Sequence, residues 1–233
     1  MASINIRPEL FPVKDGYINL KTGDFTELLG MHPNYVEWRG IDYPTDYIET
    51  YIGTLVVKEF VSYFQILLGY LLTNDRSGPT VLLFVGNGKN GKSLLCNILK
   101  RVAYKSYRNI HVNYITGATL DIPTIMHDNK LLFCNNVEKK SEFNITSIND
   151  LTVTSKIIIE CQDIPTMAYD KNVQIIRFIN TFEDNDAIQE ALLSRLDEFL
   201  VWLVKGSITY YQNGKMNQIP SPIIKKSTTC IIL

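Results

Sequence analysis

The 233-residue chain predicts an α/β fold, a mostly parallel sheet flanked by helices, with a small α+β segment before the sheet and a closing helix after it. Three observations carry that expectation. Short β-type runs, "TVLLFV" at 80–85, "KLLFCN" at 130–135, "KIIIEC" at 156–161 and "QIIRFI" at 174–179, alternate with helix-compatible stretches, the pattern of a sheet covered on both faces. A glycine-rich string, Gly86-Asn87-Gly88-Lys89-Asn90-Gly91-Lys92-Ser93, separates the first run from Leu94, Leu95, Ile98, Leu99 and Val102 at helical spacing. Over 186–211, Ile188, Leu192, Leu196, Phe199, Leu200 and Leu203 mark one face of a long amphipathic helix, and Asn213-Gly214 is its stop.

Taken from the start, Asp15-Gly16 and Thr22-Gly23 are turn signals on either side of the alternating "YINL", which predicts a short hairpin. Over 51–72 the residues Leu55, Val56, Phe60, Phe64, Leu67, Leu68 and Leu71 keep helical spacing, ended by Asp75 and Ser77-Gly78-Pro79. That break divides the chain into 1–75, a segment preceding the sheet; 76–214, the sheet domain with its closing helix; and 215–233, a polar tail. The apolar run "VSYFQILLGYLL" at 61–72 contains Gln65 and lies between charged pairs, and it is well short of the roughly twenty residues that span a bilayer. A buried helix is expected there.

Composition narrows the function classes. A formal charge of -1 with 45% apolar residues fits a globular protein with a substantial core and withholds the basic footprint of a stand-alone nucleic-acid binder. Cys96, Cys134, Cys161 and Cys230 form no C-x-x-C pair, so they are expected as reduced thiols of an intracellular protein. His32, His111 and His127 lack ligand spacing, and no metal cluster is implied. The opening "MASINIRPELF" has no signal pattern, so secretion is not expected and the sequon at Asn144-Ile145-Thr146 carries no weight.

The glycine-rich string satisfies G-x-x-x-x-G-K-[ST] in the context the pattern requires, after a strand and before a helix. Glycines let the backbone close around phosphate oxygens, and the helix start adds partial positive charge. Gly86, Asn87, Gly88, Lys89, Asn90, Gly91, Lys92 and Ser93 are therefore the candidate nucleotide-binding residues. Lys92 is placed to reach the β- and γ-phosphates, and the Ser93 hydroxyl to join a Mg²⁺ shell.

The string "GNGKNGKS" resembles the phosphate loop of superfamily III helicases, in the primase-helicase NTPases of poxviruses and other large DNA viruses, phages and plasmids. Other parts match in order. "FPVKDGYINLKTGDF" is similar to the segment opening the region before the ATPase, and "YFQILLGYLLT" to the helix leading into its first strand. "KLLFCNNVEKKSEFN" resembles the second-motif strand, and "SKIIIECQDIPTMAYDKNVQIIRFINTF" the third-motif strand and the path to the arginine-finger segment. "LDEFLVWLVKGSITYYQNGK" resembles the closing helix, so the likeness runs over about residues 10–222. The resemblance implies a P-loop, AAA+-like ATPase with ATP and Mg²⁺ as cofactors, assembling as a homo- or hetero-oligomeric ring on single-stranded DNA. It also implies work in viral or mobile-element replication, in the cytoplasm or at a viral replication site.

Several positions depart from that family's pattern. The second-motif acid falls on Asn136, which cannot accept a proton as a carboxylate does; Glu138 is the nearby substitute and a candidate catalytic residue, with Lys92 and Gln162. Gln162 stands where the family places an asparagine sensor and still offers an amide. The arginine-finger pair falls on Gln174 and Ile175, with Arg177 close by but off register. The interval 144–156 is too short for the family's DNA-contacting hairpin and contains nothing basic or aromatic before Lys156. Two readings stay open: an ATP-hydrolysing helicase-type enzyme, and a degenerate relative that binds nucleotide as an assembly or regulatory subunit. A third rests on the ending Cys230-Ile231-Ile232-Leu233, which fits a prenylation box on Cys230 with Lys225 and Lys226 upstream; membrane contact is expected only through that lipid. The competing reading of the same residues is an apolar strand docked on the core.

Overall fold

The computed structural model describes residues 9–28, 34–119, 130–137, 141–166, 172–183, 185–214, 224–226 and 229–232. Strands β1 (Leu10–Val13), β2 (Gly16–Asn19) and β3 (Phe25–Glu27) form an antiparallel meander in the order β1-β2-β3. Both predicted turns exist, and the second adds a strand that the hairpin expectation lacked. Phe11, Val13, Ile18 and Leu20 bury one face of the meander.

Helices α1 (Asp46–Leu55) and α2 (Val61–Leu71) occupy the stretch expected as one helix. The break falls at Val56 and Val57, both with extended backbone, followed by a single 3-10 turn over Lys58–Phe60. Two adjacent β-branched residues are stiff at χ1 and give up little by leaving the helix. Helix α2 is buried nearly all round, and among the described residues no helix is long and apolar enough to cross a membrane.

The central sheet follows. Its elements are β4 (Val81–Val85), α3 (Lys92–Ala103), β5 (Tyr107–Asn109), α4 (Val112–Thr116), β6 (Leu131–Val137), α5 (Ile145–Thr152), β7 (Lys156–Cys161) and β8 (Val173–Arg177). Helices α6 (Asp186–Leu193) and α7 (Leu196–Gln212) close the domain, and β9 (Ile224–Lys226) and β10 (Thr229–Ile232) complete the sheet. The sheet order is β5-β6-β7-β4-β8-β10-β9, with β5 to β8 as five parallel neighbours. All four strand runs read from the sequence are present, and the α/β expectation holds.

Strand alternation sorts the core into two layers. Leu82, Phe84, Phe133, Ile158 and Ile176 pack with α1, α2, α3 and α7. Val81, Leu83, Val85, Ile157, Ile159 and Ile175 pack on the other face with Ile115 of α4 and Ile148 and Leu151 of α5. Helices α2 and α7 touch at two glycines: a Cβ on Gly69 would overlap the backbone at Leu203 and Ser207, and one on Gly206 would overlap the carbonyl of Gln65. Polar residues with sequence interest take structural roles. His111 Nδ1 accepts from Asn113 N (3.2 Å) and caps α4, and Asn144 of the sequon accepts from Ser147 N (3.0 Å) and caps α5.

At the amino end of β7, Lys156 is buried, and its ammonium donates to Tyr70 O (2.9 Å) and Thr73 O (2.6 Å) while lying over the Tyr70 ring. It thereby reinforces the end of α2, where Tyr70 O also accepts from Thr73 N (3.0 Å) and from the Thr73 hydroxyl (2.8 Å). The long helix expected over 186–211 is split at Ser194 and Arg195. At the chain's end, β10 lies parallel to β8, with Ile231 opposite Ile175 and Ile232 opposite Ile176. The docked-strand reading of Cys230-Ile231-Ile232 matches this placement; the Cys230, Lys225 and Lys226 side chains and Leu233 lie outside the described residues.

Candidate functional site

The loop between β4 and α3 has the shape the string demands. A Cβ at Gly86 would overlap the side chain of Asn90 and the carbonyl of Phe178, so only glycine lets the strand turn that tightly. Gly91 has φ +81 at the cap of α3 and no side chain to cap it; Asn90 Oδ1 stands 3.5 Å from Lys92 N at the same start. Among the described residues no hydrogen bond takes up the N–H of Asn87, Gly88 or Gly91. Donors without acceptors at an uncapped helix start form an anion site. Helix α3 also has no acid in its first turn and carries Lys100 and Arg101 in its last, so its own charges leave that start positive.

Lys92 is folded back over the loop. Its Nζ donates to Gly86 O (2.6 Å), Asn87 O (3.4 Å) and Asn90 Oδ1 (2.9 Å). Burial pulls its pKa below the ordinary lysine value, against the opposing pull of the Glu160 carboxylate. Asn90 is buried, and its Nδ2 donates to Phe178 O (3.4 Å), so it braces the loop from within. Beyond β8, Phe182 N donates to Lys89 O (2.7 Å) and holds the loop from outside.

Ser93 is exposed, and its Oγ donates to Glu160 Oε2 at 2.8 Å. Glu160 lies on β7, opposite Phe84 on β4, and is only 8% exposed. Sequence reasoning missed it. The available signal was a lone acid in the apolar strand "KIIIEC", whose alternation turns it toward α3 together with Ile158. The buried thiol of Cys96 on α3 is held well above the usual range by burial, with Glu160 adding to it; burial also raises Cys134 and Cys161 to about 12. These free cysteines are therefore protonated thiols at neutral pH.

Two cavities flank the loop. One, of about 450 Å³, lies on the outer side of Gly88, Gly91 and Lys92 and is walled by Tyr47 and Tyr51 of α1 and Ile188 and Leu192 of α6. Ile188, an apolar residue left 47% exposed, lines it. Its wall is fixed from behind by Glu198 of α7, whose Oε1 accepts from Tyr47 N (3.0 Å) and Ile48 N (3.2 Å) and so caps α1 from a distance. The Tyr51 hydroxyl is buried without a partner among the described residues, and burial raises its pKa. The second cavity, about 410 Å³, opens at the carboxyl ends of β4, β7 and β8 and is lined by Gly86, Asn87, Gln162, Asp163, Arg177 and Asn180.

Gln162 thus shares the second cavity with Gly86, Asn87 and Asn90, while Gly88 to Ser93 line the first. Glu138 lies outside the described residues, as does the Asn136 side chain; the end of β6 supplies amides at positions 135 and 136, with a register shift between Cys134 and Val137. Gln174 and Ile175 are buried in the sheet, with Gln174 Oε1 accepting from the Tyr63 hydroxyl (3.2 Å), so neither is a surface finger. The parallel register sets Arg177 beside Val85, one residue before Gly86, and its Nε is buried without a partner among the described residues. Among the described residues it is the cation lining the second cavity. The interval after Asn144 is helix α5, and no cluster of metal-ligating side chains occurs among the described residues.

Comparison with models of protein families finds no match, and comparison with curated proteins finds none either. Among solved structures the chain is similar to the apo C-terminal region of NrS-1 (305-718), with a TM-score of 0.59 at 14% identity over 87% of this chain and 55% of that one. An A form of the same region gives 0.56 at 14% identity over 87% and 54%. The chain therefore spans about half the length of the solved chains it matches. A JCV helicase is also similar at 14% identity over 69% of this chain and 51% of that one, but its TM-score of 0.37 is too low to argue from. At these identities the likeness is one of fold.

Proposed function

We propose that this chain is an ATP-binding, helicase-like NTPase of superfamily III type that acts in viral or mobile-element DNA replication. The observation that carries the reading is the uncapped start of α3, with loop amides lacking acceptors and Lys92 folded beside them. A triphosphate would supply those amides with oxygens, and Lys92 would exchange its hold on Gly86 O and Asn87 O for the β- and γ-phosphates. The exchange involves one side chain and leaves the core as it is.

The residues present fit the rest of a nucleotide. The aromatic and apolar wall of Tyr47, Tyr51, Ile188 and Leu192 suits the base. Ser93 would hold Mg²⁺, which when bound supplies charge neutralisation between the terminal phosphates. On the other side of the loop, Gln162 offers an amide to the γ-phosphate end and Arg177 offers a cation from within the same chain. Ring assembly and movement along single-stranded DNA are proposed from the sequence resemblance, with the fold likeness in support.

A second reading, nucleotide binding without turnover, is favoured by the burial of Gln174 and Ile175 and the amides at positions 135 and 136. One assay separates the two. Purified protein is given labelled ATP and Mg²⁺ with and without single-stranded DNA, beside Lys92→Ala. Turnover that disappears in Lys92→Ala supports the enzyme, whereas binding without turnover that Asn136→Glu restores supports the second reading. Failure of the wild-type protein to bind ATP at all overturns both.

A further inference from the structure

We infer that Glu160 is the metal-side carboxylate of the site, supplied from β7 because the end of β6 has only amides. The inference rests on the nucleotide reading above and names a residue for its Mg²⁺. Three observations meet on this side chain. It is the acid whose carboxylate reaches Ser93, with a 2.8 Å hydrogen bond from the hydroxyl that the loop pattern assigns to the metal. Glu160 is buried, while Ser93 at the other end of that bond is open to solvent, so the pair connects a buried anion to the mouth of the loop.

The third observation is what the carboxylate lacks. Lys92 is near enough to exert an electrostatic pull, yet its Nζ gives its hydrogen bonds to Gly86 O, Asn87 O and Asn90 Oδ1, and among the described residues no ion pair joins it to Glu160. Among the described residues the carboxylate's hydrogen-bond partners are a hydroxyl and a neighbouring thiol, and a close partner of opposite sign is what a buried carboxylate best accepts. A divalent cation at Ser93 is such a partner. The sheet order explains how β7 can serve: β7 is the direct neighbour of β4, so Glu160 stands level with Phe84, just before the loop, whereas β6 is one strand further away. Alternation turns Glu160 to the α3 side of the sheet, where Ser93 and Cys96 lie.

The test is the Mg²⁺ dependence of nucleotide affinity, read on the full chain with a fluorescent ATP analogue in Mg²⁺ and in EDTA, without any need for turnover. Wild-type protein is expected to bind about tenfold or more tightly with Mg²⁺. In Glu160→Gln that gain falls to less than about twofold, while affinity in EDTA equals or exceeds wild type because a negative charge beside the phosphates has gone. Glu160→Asp, which keeps the charge on a shorter stem, retains an intermediate gain and covers the case in which Glu160→Gln fails to fold. A full Mg²⁺ gain in Glu160→Gln, or equal weakening with and without metal, reduces Glu160 to a structural acceptor for Ser93 and overturns the inference while leaving the nucleotide reading intact. Absence of binding by the wild type in both media overturns the two together.

Discussion

Two buried lysines at opposite ends of the central sheet show what distinguishes a structural cation from a functional one. Lys156, 1% exposed at the amino end of β7, donates to Tyr70 O and Thr73 O, carbonyls that the end of α2 presents regardless of any ligand. Lys92, 7% exposed beyond the carboxyl end of β4, donates to carbonyls of its own loop. Burial alone would rank them together, and burial lowers both pKa values. The difference lies in the acceptors. The acceptors of Lys156 belong to the fixed end of α2 and the buried turn after it, whereas those of Lys92 belong to a loop that borders two cavities and includes exposed residues, where water can replace the lost bond.

The largest effect expected from breaking this contrast is on stability. Lys156→Ala should lower the unfolding free energy by about 3 kcal/mol, through lost packing and the loss of the ammonium's hydrogen bonds to Tyr70 O and Thr73 O, read by urea titration. Nucleotide affinity of the folded fraction should stay within about twofold. Lys92→Ala should do the converse, changing stability by no more than about 1 kcal/mol while abolishing tight nucleotide binding. If both variants lose stability alike, the distinction between fixed and exchangeable acceptors fails.

A smaller effect sharpens the same comparison with a third lysine. Lys130, next to Lys156 at the amino ends of the strands, has an ammonium with no hydrogen-bond partner among the described residues, and burial pulls its pKa down to about 8. An unfolded lysine titrates near 10.4. The folded chain therefore binds fewer protons than the unfolded one between those values, so stability is lowest below pH 8 and rises as pH climbs toward 10. Lys130→Met should add about 1–2 kcal/mol at pH 7 and flatten the rise. An unchanged slope in a pH series of denaturation curves would show that Lys130 has a partner in solution.

Much of the fold was legible in the sequence because both of its signals are local. The strand runs at 80–85, 130–135, 156–161 and 174–179 all became strands, and the loop string between a β run and a helical period was sufficient to place Lys92 and Ser93. Helix breaks were not legible. Apolar spacing continues past the end of α1, and the extended backbone at Val56 and Val57 and the cap at Ser194 interrupt it without changing that period. The site was only half legible for a related reason. Glu160 meets Ser93 through strand pairing across 67 positions of sequence, and Tyr47 and Tyr51 line the cavity beside the loop from α1, a helix whose start Glu198 of α7 caps. That Arg177 lines the second cavity was not legible, because it depends on the register of β8 against β4. Long-range pairing decided each of these, and periodicity is silent about partners.

The most direct test of the central claim is a crystal structure of the protein with a non-hydrolysable ATP analogue and Mg²⁺. The account predicts the terminal phosphates against the N–H groups of Gly88, Gly91 and the first turn of α3, with Lys92 Nζ turned from Gly86 O onto a phosphate oxygen. An analogue bound elsewhere, or a loop in which Lys92 keeps its own carbonyls beside saturating nucleotide, would contradict it.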